Sequence, residues 1–243
     1  KKRADENKLT RDLNKNLSKI KVDKLIDAKG KNRMNCMLFL FEGDSASGAC
    51  RKFRDIETQG SFALRGKFIN VSEITTQKLV QNTEAINLMA ALGLKLGQKA
   101  TKDVLRYGKI VLMVDADHDG NAIAGLLINF LYKYWPELFD FDMVYKAETP
   151  IVVSKNLKSK KKYPFYTQDD YNKWLSGVNS KDWEIKYKKG LAALTDDEYE
   201  EIINNPKLTL ISIDNMSKEY LNVWFGKESQ LRKDEILKLD GTK

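Results

Sequence analysis

Cysteine and histidine are nearly missing from this chain: two cysteines, Cys36 and Cys50, and a single histidine stand among 243 residues. Two thiols build no disulfide framework, so the sequence reads as one made for a reducing interior, the cytoplasm. Both thiols read as small buried residues rather than redox groups. No Cys-x-x-Cys occurs, and with one His that argues against a structural zinc site. Long apolar runs are missing as well. Stretches such as Ile110–Val114 fall far short of the about 18 residues that a membrane helix needs. The chain opens Lys1-Lys2-Arg3 with no secretory signal pattern, and since it does not begin with Met it reads as a fragment. No internal repeat is present.

What remains is the material of a folded protein. Four Trp, ten Tyr and ten Phe exclude global disorder. The length suits one large or two modest domains at about 150 residues each. The net charge is +8, and residues 1–33 hold most of it, with twelve Lys/Arg against five Asp/Glu. A second basic run, Lys155 to Lys162, has five lysines in eight residues. Such patches suit polyanions, although a solvated linker or a hairpin tip explains either run equally well.

The apolar pattern divides the chain into a basic lead-in or linker (1–33), a core (34–154) and a C-terminal part (155–243). Residues 1–21 read as a tether or frayed helix. Met37 to Phe41 is a continuous apolar run, as expected of a strand buried on both faces. Asp44 or Ser45 is then placed to cap a helix reaching about Thr58. Residues 72–107 read as helical pieces broken at Gly93 and Gly97. Lys109–Val114 is the strongest buried-strand signal, and Ile123, Leu127, Phe130 and Leu131 follow at helical spacing. Strand, turn, helix, repeated, predicts an α/β fold with a parallel-sheet core flanked by helices. The tail adds an α+β extension: strands near 143–145, 150–154 and 183–187, with Thr167 and Thr195 opening helices as capping residues.

Three aspartates at alternate positions, Asp115, Asp117 and Asp119, end the second strand. They repel one another unless a cation offsets them, and hard oxygen ligands of this kind select Mg²⁺. Helix capping would account for one or two of the three. An EF-hand fails, because its twelfth position would be Leu126 rather than Glu. A haloacid-dehalogenase-like phosphatase is an alternative, but such enzymes usually carry Thr or Val at the place of Asp119. Glu42 also ends an apolar strand, so a parallel sheet would put it on the same edge. A carboxylate beside a metal-binding set serves as general acid/base or ligand in phosphoryl transfer.

Together these motifs resemble the TOPRIM domain of type IIA DNA topoisomerases. The resemblance rests on Glu42-Gly-Asp-Ser-Ala46, Leu64-Arg-Gly-Lys67, Asp115-Ala-Asp-His-Asp-Gly120 and Lys189-Gly-Leu191, and it covers about residues 22–238. The tail, including Glu198-Tyr199 and Leu231-Arg-Lys-Asp234, looks most like the split topoisomerase of T-even-type bacteriophages.

The resemblance implies a function for each motif. Glu42 would be general acid/base and metal ligand; Asp115, Asp117 and Asp119 would hold Mg²⁺, for which Mn²⁺ could substitute; Asp44 would lie beside them. Arg65, Lys67 and Lys189 would approach the backbone of double-stranded DNA, with Lys67 close enough to assist catalysis. The family cuts with a tyrosine on a winged-helix domain and uses ATP on another domain or subunit. No segment here looks like either, and Tyr166 and Tyr187 fit strands as packing residues. The implied assembly is therefore dimeric, needs a tyrosine-bearing partner and an ATPase part, and, if viral, works in the host cytoplasm. A basic DNA-clamp subunit without catalysis is the remaining alternative. Departures from the family pattern are Ala63 for Pro, Asn121-Ala122 for Ser-His, and Ala192 for Gly. His118 occupies a variable surface position.

Overall fold

The computed structural model describes residues 2–240. Nine strands form in chain order: β1 (Leu25–Ile26), β2 (Met37–Phe41), β3 (Gln59–Ala63), β4 (Lys109–Met113), β5 (Val144–Ala147), β6 (Val152–Asn156), β7 (Lys162–Phe165), β8 (Trp183–Tyr187) and β9 (Leu208–Leu210). Six of them make one sheet in the order β1-β3-β2-β4-β5-β9, and β7-β6-β8 make a second, smaller one. The four central strands of the larger sheet are parallel, and β1 and β9 close its edges antiparallel.

Alternation explains why β2 and β4 are apolar at nearly every position. Leu38, Leu40, Ile110 and Leu112 face one core, and Phe39, Phe41, Val111 and Met113 face the other. Helices cover both sides, as a parallel sheet requires. Ten α-helices are formed among the described residues: α1 (Lys2–Leu17), α2 (Asp44–Phe53), α3 (Thr76–Leu79), α4 (Thr83–Leu92), α5 (His118–Tyr134), α6 (Glu137–Asp140), α7 (Gln168–Leu175), α8 (Asp196–Asn204), α9 (Ser217–Phe225) and α10 (Ser229–Asp240). On the first face α1, α4 and α5 supply Leu17, Leu88, Met89, Leu127 and Phe130. On the second, α2 and α8 supply Cys50, Tyr199, Ile202 and Ile203. Both cysteines are free and buried.

Three sequence expectations are corrected. Residues 2–17 are a continuous helix rather than a tether, because Leu13 and Leu17 are buried on the main core and Asn14 exchanges two hydrogen bonds with the backbone of Leu96. The cap of α2 is Gly43, not Asp44 or Ser45, and the helix stops at Phe53 instead of Thr58. Residues 94–108 contain no helix; Gly93 ends α4 in the left-handed conformation, φ +79°. The later capping sites hold as read: Thr167 accepts from the Asp170 N–H at 3.1 Å, and Glu198 accepts from the Thr195 N–H at 2.9 Å. The lysine run is the tip of the β6–β7 hairpin. No described helix is long and apolar enough to cross a membrane.

Candidate active site at the carboxyl edge of the sheet

The parallel register brings the motifs together. Phe41 pairs with Met113 on one side and Ala63 on the other, so β2, β4 and β3 end level. Glu42, the Asp115 turn and the Leu64–Lys67 loop therefore leave one sheet edge, where open α/β folds place ligands. The Leu64 N–H donates to the Phe41 carbonyl at 2.8 Å, which fixes the start of that loop.

Glu42 is half-buried, and its Oε2 is sealed from solvent with no hydrogen-bond partner. Burial lifts its carboxyl above the ordinary range, and the charges of Asp115 and Asp117 push the same way, against a restraining bond from the Asp115 backbone. An orphaned carboxylate oxygen facing other carboxylates is a costly arrangement, of the kind a cation relieves.

Each aspartate has a different local task. Asp115 Oδ1 accepts from the Leu191 N–H at 2.8 Å. This bond fastens the Lys189-Gly190-Leu191 segment, 76 residues away in sequence, to the end of β4. Gly190 leaves room for that contact: a Cβ there would collide with Asp115 Oδ2 and sit 2.5 Å from Cγ, so the carboxylate would have to move. Asp117 caps α5, its Oδ1 accepting from the Gly120 N–H at 2.8 Å. Asp119 is exposed and pairs with Lys67 at 2.7 Å. That lysine holds the Asp119 carboxyl below its usual range. Both partners face solvent, so the pair orients the loop more than it stabilises the fold.

Of the remaining residues singled out in the sequence, Arg65 and Lys189 are exposed and make no ion pair among the described residues. Asp44 is exposed in the first turn of α2, a favourable place for negative charge. His118 is exposed, as expected. Asn121 takes a bond from Lys146 Nζ at 2.8 Å. Tyr187 departs from the packing expected of it: it is 65% exposed, although its hydroxyl donates to that of Tyr171 at 3.3 Å. Tyr166 lies outside the strands, with Lys207 4.4 Å above its ring.

Sequence reasoning missed the residues that brace the loops. Lys188, next to the expected Lys189, is buried; its Nζ donates to Glu198 at 2.7 Å and to the Ala193 carbonyl at 2.8 Å. Glu84 receives Lys24 at 3.3 Å and the Arg65 N–H at 3.2 Å, which pins the Leu64–Lys67 loop to α4. Lys24 lies in the lead-in to the first strand, and nothing local marks Glu84 as its partner.

Among the described residues no three of His, Cys, Asp or Glu already form a cage for a metal ion. The donors nevertheless fit Mg²⁺. That ion keeps several waters and is held by one or two carboxylates plus phosphate oxygens, so it needs no closed cage. The unpartnered Glu42 Oε2 is an oxygen that could serve in this way.

A parallel sheet that sets one glutamate beside an Asp-x-Asp-x-Asp-Gly turn at its carboxyl edge is the arrangement of a TOPRIM domain. Residues 37–148 match the family described as Toprim domain, and residues 147–241 match the C-terminal associated domain of TOPRIM. The chain belongs to the TOPRIM regions of the type II DNA topoisomerase family. It is 40% identical over 192 residues to DNA topoisomerase 2 of Arabidopsis thaliana, covering 76% of this chain and 13% of that protein. Against DNA topoisomerase 2-alpha of Homo sapiens it is 39% identical over 198 residues, covering 77% and 13% respectively. The crystal structure of the Plasmodium falciparum topoisomerase II DNA-binding, cleavage and re-ligation domain superposes with a TM-score of 0.77. Identity there is 33%, covering 86% of this chain and 30% of that one. The chain thus spans about one-eighth of the length of the curated relatives named here.

Proposed function

We propose that this chain is the metal-binding part of an ATP-dependent type II DNA topoisomerase. It would supply Mg²⁺ and general acid/base chemistry for reversible double-strand cleavage by a partner's tyrosine. The observation that carries this reading is the buried, unpartnered Glu42 Oε2 beside Asp115 and Asp117 at the sheet edge.

Glu42 and the aspartates 115, 117 and 119 would hold Mg²⁺, with Mn²⁺ as a substitute; the ion supplies charge neutralisation at the scissile phosphate. Cleavage would join the tyrosine oxygen to phosphorus, its hydroxyl proton passing to water, and break the bond to the deoxyribose oxygen. Glu42, at the sheet edge beside the aspartates, would give a proton to that departing oxygen and take it back on religation. Lys67, held at the site by Asp119, and the exposed Arg65 and Lys189 would bind phosphates of double-stranded DNA on either side of the cut. Asp44, beside Glu42 in sequence, would shape the approach. Latching of Lys189-Gly190-Leu191 onto Asp115 keeps one of these cations in register with the carboxylates.

The tyrosine would sit on a winged-helix partner and ATP on another domain or subunit, in a dimeric, phage-type split assembly in the cytoplasm. The family assignment sets the phosphatase alternative aside.

The test mixes the chain with its tyrosine-bearing partner, supercoiled plasmid and Mg²⁺, then quenches with detergent and looks for protein covalently attached to cut DNA. Glu42→Gln and Asp117→Asn should abolish that product with the fold intact, since Asn still caps a helix. Wild-type cleavage by both variants would refute the site assignment. Salt-sensitive DNA binding indifferent to Mg²⁺, with no cleavage, would favour the clamp reading instead.

A further inference from the structure

The lysine-rich tip between β6 and β7 takes no part in the carboxyl-edge site, yet it is firmly built. The Asn156 side chain accepts from the N–H groups of Lys158 at 3.1 Å and Ser159 at 2.9 Å. The Asn156 backbone donates to the Lys161 carbonyl and accepts from the Lys160 N–H, both at 2.9 Å. Lys160 holds the left-handed conformation, φ +61°, that closes the turn. The Leu157 N–H reaches the Asp182 carbonyl at 2.9 Å and ties the tip to the start of β8.

This frame presents more cations than carboxylates. Lys155, Lys158, Lys160 and Lys161 form no ion pair among the described residues, whereas Lys162 turns to Asp197 at 2.5 Å. Glu184 pairs with Lys186 at 3.0 Å and stands opposite Lys155 across β6 and β8, so this one carboxylate is shared among several lysines. Lys161 rests 5.2 Å over the Tyr163 ring, which packs edge-on to Trp183 at 5.3 Å, and Trp183 to Trp174 at 4.9 Å. The surplus of positive charge at this tip is of the kind a polyanion offsets.

The tip also lies within reach of the carboxyl-edge site. Trp183 pairs with Asn156 at the tip, and six residues further along the chain comes Lys189. At about 3.3 Å per residue that stretch spans at most roughly 20 Å. Duplex DNA rises about 3.4 Å per base pair, so the two groups of cations fit within roughly six base pairs of one duplex.

We propose that Lys155, Lys158, Lys160 and Lys161 form a second contact with the phosphate backbone of duplex DNA, separate from the carboxyl-edge site and within roughly six base pairs of it. The proposal rests on the preceding functional reading for its ligand. The backbone it grips belongs either to the flank of the cleaved duplex or to a second duplex.

The test measures binding of labelled 10- and 30-base-pair duplexes by the full chain, in EDTA, across a salt series. The variant combines Lys155→Gln, Lys158→Gln, Lys160→Asn and Lys161→Gln; near-UV circular dichroism of Trp174 and Trp183 checks its fold. The slope of log affinity against log salt should fall by about 0.9 for each phosphate no longer neutralised, hence by roughly 2–4. Weakening confined to the longer duplex assigns the flank; weakening at both lengths, with stoichiometry falling from two duplexes to one, assigns a second duplex. An unchanged slope at both lengths overturns the proposal. A parallel variant with Gln at Arg65, Lys67 and Lys189 separates the two readings, because its failure to weaken binding counts against the carboxyl-edge site alone.

Discussion

Gly190→Ala tests whether the Lys189–Leu191 segment is latched to the aspartate turn. A Cβ at Gly190 would collide with Asp115 Oδ2 and lie 2.5 Å from Cγ and 2.8 Å from Oδ1, all closer than carbon atoms and carboxylates tolerate. The backbone is no obstacle: φ is 174°, extended and open to any residue. The Asp115 carboxylate must therefore swing away, breaking its 2.8 Å bond from the Leu191 N–H. A hydrogen bond to a charged group contributes about 1.5–3 kcal/mol. The alanine returns about 0.4–1 kcal/mol by restricting the unfolded chain, so a net loss of about 1–2 kcal/mol is expected in urea denaturation followed by Trp fluorescence. Asp115→Ala removes both the clash and the bond. Adding Gly190→Ala to that background should cost nothing further, a coupling that a double-mutant cycle reads directly. If Gly190→Ala costs the same with and without Asp115, the latch is not the reason glycine stands there.

The other predictions concern the flanking elements. Gly66 holds φ +70° with open space where its Cβ would be, so Gly66→Ala should destabilise by about 1–2 kcal/mol through the backbone alone. Gly66→Asn should cost less, because Asn tolerates that conformation; equal losses for the two in denaturant melts would contradict this. Asp27 receives Tyr107, Arg106 and, at 2.7 Å, Arg33. Burial opposes its ionisation, but these partners together hold its carboxyl below the ordinary range. A lowered folded pKa gives stability that is present above the unfolded value, about 3.9, and is lost as pH falls through the folded one. The urea midpoint of wild type should therefore exceed that of Asp27→Asn at pH 7 and pH 5, and the gap should narrow below about pH 4. A gap unchanged at pH 3 and below would refute that linkage.

Much of the site was legible because its placement follows from short-range rules. An apolar run buried on both faces belongs in a parallel sheet, and residues that end two adjacent parallel strands share an edge. That reasoning brought Glu42 to Asp115 across more than seventy residues, and the register of β2 on β4 is its physical basis. The first helix was harder to read. Its apolar positions are few, and its stability comes from burying Leu13 and Leu17 and from the Asn14–Leu96 bonds, long-range contacts that local periodicity does not encode.

The braces were least legible for the same reason. Lys188 and Lys189 are neighbours of identical chemistry, yet one is sealed against Glu198 and the other faces solvent. The difference arises where β8 runs out and the chain turns toward Asp115, so the fold assigns one lysine to structure and leaves its neighbour available for a ligand. A charge substitution at 188 would then act through the position of Gly190 and Asp115 rather than through DNA. The buried lysine fixes the segment from which the exposed one projects.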